Sequence, residues 1–97
     1  MPRRMRMRRV RCEPDVVYFK PAGVSMGELE EVMLAVDEFE ALRLADLNGL
    51  SQEKAAVMMG ISQPTFNRVI ASARKKVVDA IVNGKAIRIE GGAYFVK

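Results

Sequence analysis

Apolar residues recur at three- and four-residue steps along Ser51–Val82, and that spacing predicts two helices with a corner between them. Ala55, Ala56 and Met59 share one face of a short first helix, and Ser51 precedes it as an N-cap whose hydroxyl can accept an orphan amide of the first turn. Gly60 stops that helix, since glycine enters the left-handed region without a Cβ penalty. Ile61 plugs the corner, Ser62 caps the second helix, and Pro64 falls in its first turn, where a missing N–H costs nothing. Phe66, Val69, Ile70, Ala73, Val77 and Ile81 then form the stripe expected to be buried. The opposite face carries Pro64, Asn67, Arg68, Ala71, Ser72 and Lys75, with Arg74 and Lys76 on its flanks. A helix–turn–helix over 51–82 needs this pattern, because apolar residues at the corner fix the angle at which the second helix is pushed outward.

The remaining elements are shorter. Asp37 as N-cap with Glu40 three residues on predicts a supporting helix, whose apolar positions Phe39, Leu42, Leu44, Ala45 and Leu47 run to Asn48-Gly49. Its acids Glu38, Glu40 and Asp46 are expected on a solvated face, with no basic or histidine partner to suggest acid–base catalysis. Val16–Phe19 reads as a strand closed by Lys20-Pro21-Ala22-Gly23, while 28–36 fits either a short helix or an extended run. Lys85–Glu90 alternates polar and apolar residues, then Gly91-Gly92 and Ala93–Val96 follow, which predicts a C-terminal hairpin over 85–97. The strand at 16–19 would complete a small sheet, within the chain or across a dimer. The expected fold is therefore mainly α, a three-helix or winged-helix type of head with short N- and C-terminal strands. Residues 1–12 are set apart as a flexible basic arm, and 13–97 as one domain.

Charge sharpens this picture. The net charge of +4 on 97 residues is modest, but residues 1–12 hold six arginines and no acid. Residues 13–53 hold ten acids against Lys20 and Arg43, and 54–97 hold eight basic residues against Asp79 and Glu90. Such segregation points to a nucleic-acid partner, with the acidic third facing away from it. No apolar run approaches the roughly 20 residues of a membrane span, and no apolar core follows the N-terminal arginines, so neither a membrane nor export is expected. The single Cys12 agrees with a reducing cytoplasm and is read as packed rather than redox-active. The methionines are read as core fillers. With no histidine, one thiol, no phosphate-binding glycine loop and no clustered metal ligands, no enzyme, cofactor or metal is expected.

Three stretches carry a family resemblance: Tyr18-Phe19-Lys20-Pro21-Ala22-Gly23, the run Asp37–Asp46, and Gly84–Gly92. Together they resemble the prokaryotic family of predicted DNA-binding proteins catalogued as domain of unknown function one-three-four. The resemblance covers nearly the whole chain and implies a head similar to region four of sigma factors, with a helix–turn–helix at 51–82.

The expected function is sequence-specific binding of double-stranded DNA by a transcriptional regulator. Gln63, Thr65, Asn67, Arg68 and Ser72 are the candidates for base edges, since Arg can pair bidentately with guanine and Asn or Gln with adenine. Arg74, Lys75 and Lys76 are the candidates for phosphates, with Ser51 and Ser62 at helix N-termini and Arg3, Arg4, Arg6, Arg8 and Arg9 on the arm. A lone head has a small footprint, so a homodimer is expected, formed by Val77, Val78, Ile81 and Val82 with the terminal strands; RNA polymerase is a further partner considered. The alternative is a protein-interaction module that uses the acidic segment 28–53.

Overall fold

In the computed structural model, which describes residues 7–97, five short strands surround three helices. The strands are β1 (Arg8–Val10), β2 (Tyr18–Phe19), β3 (Glu31–Leu34), β4 (Ala86–Ile89) and β5 (Tyr94–Val96). The helices are α1 (Val36–Leu42), α2 (Gln52–Met59) and α3 (Gln63–Asn83), so the architecture is mainly α with short strands. Arg3, Arg4 and Arg6 lie outside the described residues.

The α2–α3 corner follows the sequence closely. Ser51 Oγ accepts the Lys54 amide at 3.1 Å, and Ser62 Oγ accepts the Thr65 amide at 3.2 Å. Each cap satisfies one of the amides that a helix start leaves unpaired. Gly60 closes α2 at φ 70°, and no atom lies within 4 Å of where its Cβ would sit. Gly60→Ala should therefore cost only the left-handed backbone penalty, about 1–2 kcal/mol. A urea titration checks this; a loss several times larger would mean that the corner is sterically closed.

Two apolar clusters share α3. Phe66, Val69 and Ile70 pack with Leu44, Ala56 and Met59 where α2 and the end of α1 meet α3. Further along, Ala73 packs with Val10, Leu34, Val36 and Ile89 from the strands and the start of α1. The buried stripe then continues through Ala80, and Ile81, expected inside, is 74% exposed. On an α-helix Ala80 lies closer than Ile81 to the line set by Phe66 and Ala73, and beyond Val77 only that line is covered.

The strands correct several expectations. Residues 31–34 are extended, with Val32 and Leu34 inward and Glu31 and Met33 outward. β4 lies between β2, which is antiparallel to it, and β3, which is parallel. The strand at 16–19 thus completes a sheet within the chain. The expected 85–97 hairpin, and with it a wing of that kind, does not form. Both edges of β4 are already taken, so β5 pairs instead with β1, in parallel. That pairing also draws 8–10 out of the expected flexible arm: Arg8 and Val10 are buried, and Lys97 N–H donates to Val10 O at 3.1 Å.

α1 starts earlier than the Asp37/Glu40 pattern suggests. Ala35 is the N-cap; having no side-chain acceptor, it contributes only its backbone, and its N–H donates to Glu38 Oε1 at 2.9 Å. α1 ends in one π-helical turn, Arg43–Leu47, in which the Asn48 N–H reaches Arg43 O at 2.9 Å. The methionines are not general core fillers: Met59 is buried, but Met7, Met26, Met33 and Met58 are exposed. Cys12 is exposed rather than packed.

Candidate nucleic-acid interface

α3 is a 21-residue helix, capped at both ends and anchored along one side, so its outer surface is presented rigidly. Gln63, Asn67, Arg68, Ala71 and Lys75 are exposed on that surface, and α3 has no acid before Asp79. Thr65 is half-buried at its edge. Its Oγ1 accepts from Ser62 Oγ at 2.9 Å and from Arg68 Nη2 at 3.2 Å, which links the cap to the guanidinium. The cap hydroxyl of Ser62 is thus engaged on its own helix as both donor and acceptor, whereas that of Ser51 only accepts, from the Lys54 amide. Lys75 makes no ion pair among the described residues.

The other candidates are tied into the fold. Arg74 forms a two-point pair with Asp46, at 2.7 and 3.1 Å, linking α3 to the π-helical turn. That pair lowers the Asp46 carboxyl pKa, the Arg74 hydrogen bond being its main cause. Lys76 Nζ donates to Glu38 Oε1 at 2.8 Å, and Ser72 Oγ donates to Glu38 Oε2 at 2.5 Å. Burial works against the Glu38 charge, but the bonds from Lys76, Ser72 and the Ala35 amide outweigh it and leave its pKa below the ordinary value. Glu40 is buried and takes both Arg43 Nε and Arg43 Nη2 at 2.8 Å, together with the Arg11 amide at 3.1 Å.

The solvated acidic face expected for α1 is thus absent. Glu38 and Glu40 are buried and Asp46 is paired, because the cations that meet them lie one helical turn away or across the fold. Acidic charge in β3 is also paired: Glu31 meets Arg88 at 2.9 and 3.0 Å, while Arg88 stacks over the Tyr18 ring at 4.7 Å.

Of the arm residues, Arg8 and Arg9 point apart because a strand alternates. Arg9 is exposed in a groove with Arg43, Asn48 and Met58, away from α3. Arg8 is buried instead, its Nη1 3.6 Å from Asp37 Oδ2, beside a cleft bounded by α3. The same cleft takes in Glu38 and Gly92. Gly92 has φ 100°, and a Cβ there would meet Asp37 Oδ1 at 2.5 Å. Sequence reasoning did not find this cluster. Its one local signal is the inward position that Arg8 shares with Val10, two residues on.

No helix among the described residues is long and apolar enough to cross a membrane. A family model described as "Protein of unknown function DUF134" matches residues 1–97. The UPF0251 protein TTE1845 of Caldanaerobacter subterraneus subsp. tengcongensis is 60% identical over 96 residues, covering 99% of this chain and 81% of its own. The UPF0251 protein Teth39_0655 of Thermoanaerobacter pseudethanolicus is 62% identical over 96 residues, with the same coverage. A UPF0251 protein of Moorella thermoacetica is 62% identical over 94 residues, covering 97% of this chain and 63% of its own. No solved structure matches the chain. The match along its full length and the identities near 60% place the chain in the prokaryotic DUF134 family, whose members here carry the name UPF0251.

Proposed function

We propose that this protein binds double-stranded DNA sequence-specifically through a helix–turn–helix formed by α2, the Gly60–Ser62 corner and α3, and acts as a transcriptional regulator. The observation that carries the reading is the outward face of α3. Gln63, Asn67, Arg68 and Lys75 stand exposed on a helix whose position is fixed by packing, caps and ion pairs, with no acid among them. A major groove admits a helix of this kind, and Arg68, Asn67 and Gln63 are the side chains suited to base edges. Lys75 takes the principal phosphate role. Arg74 and Lys76, held by Asp46 and Glu38, chiefly set the angle of α3, and Ser72 does the same through Glu38. The exposed Val78, Ile81 and Val82 supply a homodimer contact, so that two heads read two half-sites.

The acidic segment 28–53 supports the protein-interaction alternative less well, since Glu31, Glu38, Glu40 and Asp46 are each paired with a cation of the same chain.

The test is capture of fragmented genomic DNA followed by sequencing, at two salt concentrations, with wild type and Arg68→Ala. Enrichment of one palindromic motif is expected, and Arg68→Ala should lose about 1–3 kcal/mol of discrimination at one base position. Binding should also fall steeply with salt as phosphate contacts are screened. An Arg68→Ala profile identical to wild type would sink the docking assignment, and no enrichment at all would sink the DNA reading.

A further inference from the structure

Between β1, the start of α1, the Gly92-Ala93 turn and α3 lies a cleft of about 470 Å³. That size suits a small ligand. Arg8 forms part of one wall, its side chain only 8% exposed, and among the described residues neither its Nε nor its Nη1 has a hydrogen-bond partner. Asp37 Oδ2, at 3.6 Å, is too far to accept from Nη1. Buried donors left without acceptors are costly, and native proteins usually satisfy them. Glu38 does not fill the gap, because its carboxylate already takes the Ala35 amide, Ser72 and Lys76. Along α3 the cleft meets Thr65, Arg68, Ser72 and Lys76, so three cations face two carboxylates, one of them fully engaged.

We propose that this cleft is a phosphate-class oxyanion site, in which Arg8 is the buried anchor and Arg68 and Lys76 supply charge from α3. An oxyanion brings the acceptor oxygens that the Arg8 guanidinium lacks, and guanidinium–phosphate pairing is among the strongest charge-assisted contacts. Thr65 offers its hydroxyl proton to the same ligand, since its Oγ1 only accepts from Ser62 and Arg68. The site stands whether or not α3 reads bases. Its ligand is either a phosphate of a nucleic-acid backbone or a free phosphate or phosphorylated small molecule, because the chemistry of recognition is common to both.

The test is a titration of isotope-labelled protein with inorganic phosphate at constant ionic strength, following the Arg8 Nε–H and the amides of Ser72 and Lys76 by NMR. Saturable shifts confined to the cleft are expected, absent in Arg8→Met and with affinity about ten-fold weaker in Arg68→Ala. Arg68 is exposed, so the second variant decides the matter if Arg8→Met fails to fold. Adding a short DNA duplex then separates the sources. Loss of bound phosphate identifies the backbone as the ligand, and its retention identifies a free or small-molecule phosphate. Cleft shifts seen with duplex but not with phosphate also support the site, with the backbone as ligand. Unsaturable shifts spread over all exposed cations, shifts unchanged in both variants, or no cleft shift with either ligand would overturn the proposal.

Discussion

Phe66→Ala is expected to destabilise the protein by about 3–5 kcal/mol, the range for emptying a buried aromatic site. Phe66 is fully buried and packs with Leu44, Ala56, Met59 and Ile61, where α2 crosses α3. Small residues surround much of that site (Ala41, Ala55 and Ala56 are all buried), so few side chains can move in to fill the space. A domain of this size has about 5–15 kcal/mol in total, and the variant should be marginal at room temperature. Urea denaturation provides the check: the midpoint should drop sharply with little change in the slope, since the surface exposed on unfolding is nearly unchanged. A loss below about 1 kcal/mol would mean that the corner is not packed around this ring. Any DNA affinity should fall in parallel, because the ring holds the angle between the two helices.

Glu38→Ala should cost about 3 kcal/mol near neutral pH, through a different cause. The carboxylate accepts three hydrogen bonds, and its side chain is 10% exposed against 36% for Lys76. Removing it leaves Lys76 and Ser72 without their acceptor and uncaps the Ala35 amide. The pH dependence follows from linkage. The Glu38 carboxyl titrates below its ordinary value of 4.5 when folded, so its contribution is complete above the unfolded value and is lost as the pH falls through the folded one. The difference between wild type and Glu38→Ala should thus be flat from neutral pH down to about 5 and shrink at more acid pH.

Asp37 acts in the opposite sense. Burial, only partly offset by Arg8, raises its carboxyl pKa above the ordinary 3.8, so its ionisation opposes folding and acidification relieves that cost. Wild type should therefore show a shallower acid limb than Glu38 alone would give, and because Asp37 is present in both proteins its effect should cancel in their difference, which stays flat down to about pH 5. Thermal denaturation across pH 3–7 measures both. A constant difference throughout would show that Glu38 contributes through packing rather than charge.

Much of the helical part was legible in the sequence, because its rules are local. Serine caps at 51 and 62, Gly60 at the corner and the stripe from Phe66 to Ala73 act over one or two turns, and all appear as read. The outward set Gln63, Asn67, Arg68 and Lys75 is exposed for the same reason: on a helix, residues opposite a buried stripe face outward. Local rules stretched too far at Ile81, since periodicity gives the direction of a side chain but not where its cover ends.

The strands and charges were decided elsewhere. Nothing near Gly91-Gly92 in the sequence says that β4 has both edges occupied by β2 and β3, and so β5 turns to β1, more than eighty residues away in the chain. Arg8 was read as a free cation for the same reason: its burial comes from a strand pairing that only the closed chain can make. Glu38 and Asp46 were read as solvated because Lys76 and Arg74 meet them across 38 and 28 residues, whereas the Arg43 partner of Glu40 is only one helical turn away. By itself the sequence determined the capped helices and the polar face of α3, through interactions spanning a turn or two. Only the tertiary structure decided which edges pair, which distant charges meet, and that two nitrogens of the buried Arg8 guanidinium stand without an acceptor among the described residues beside that face, because each depends on contacts between residues far apart in the chain.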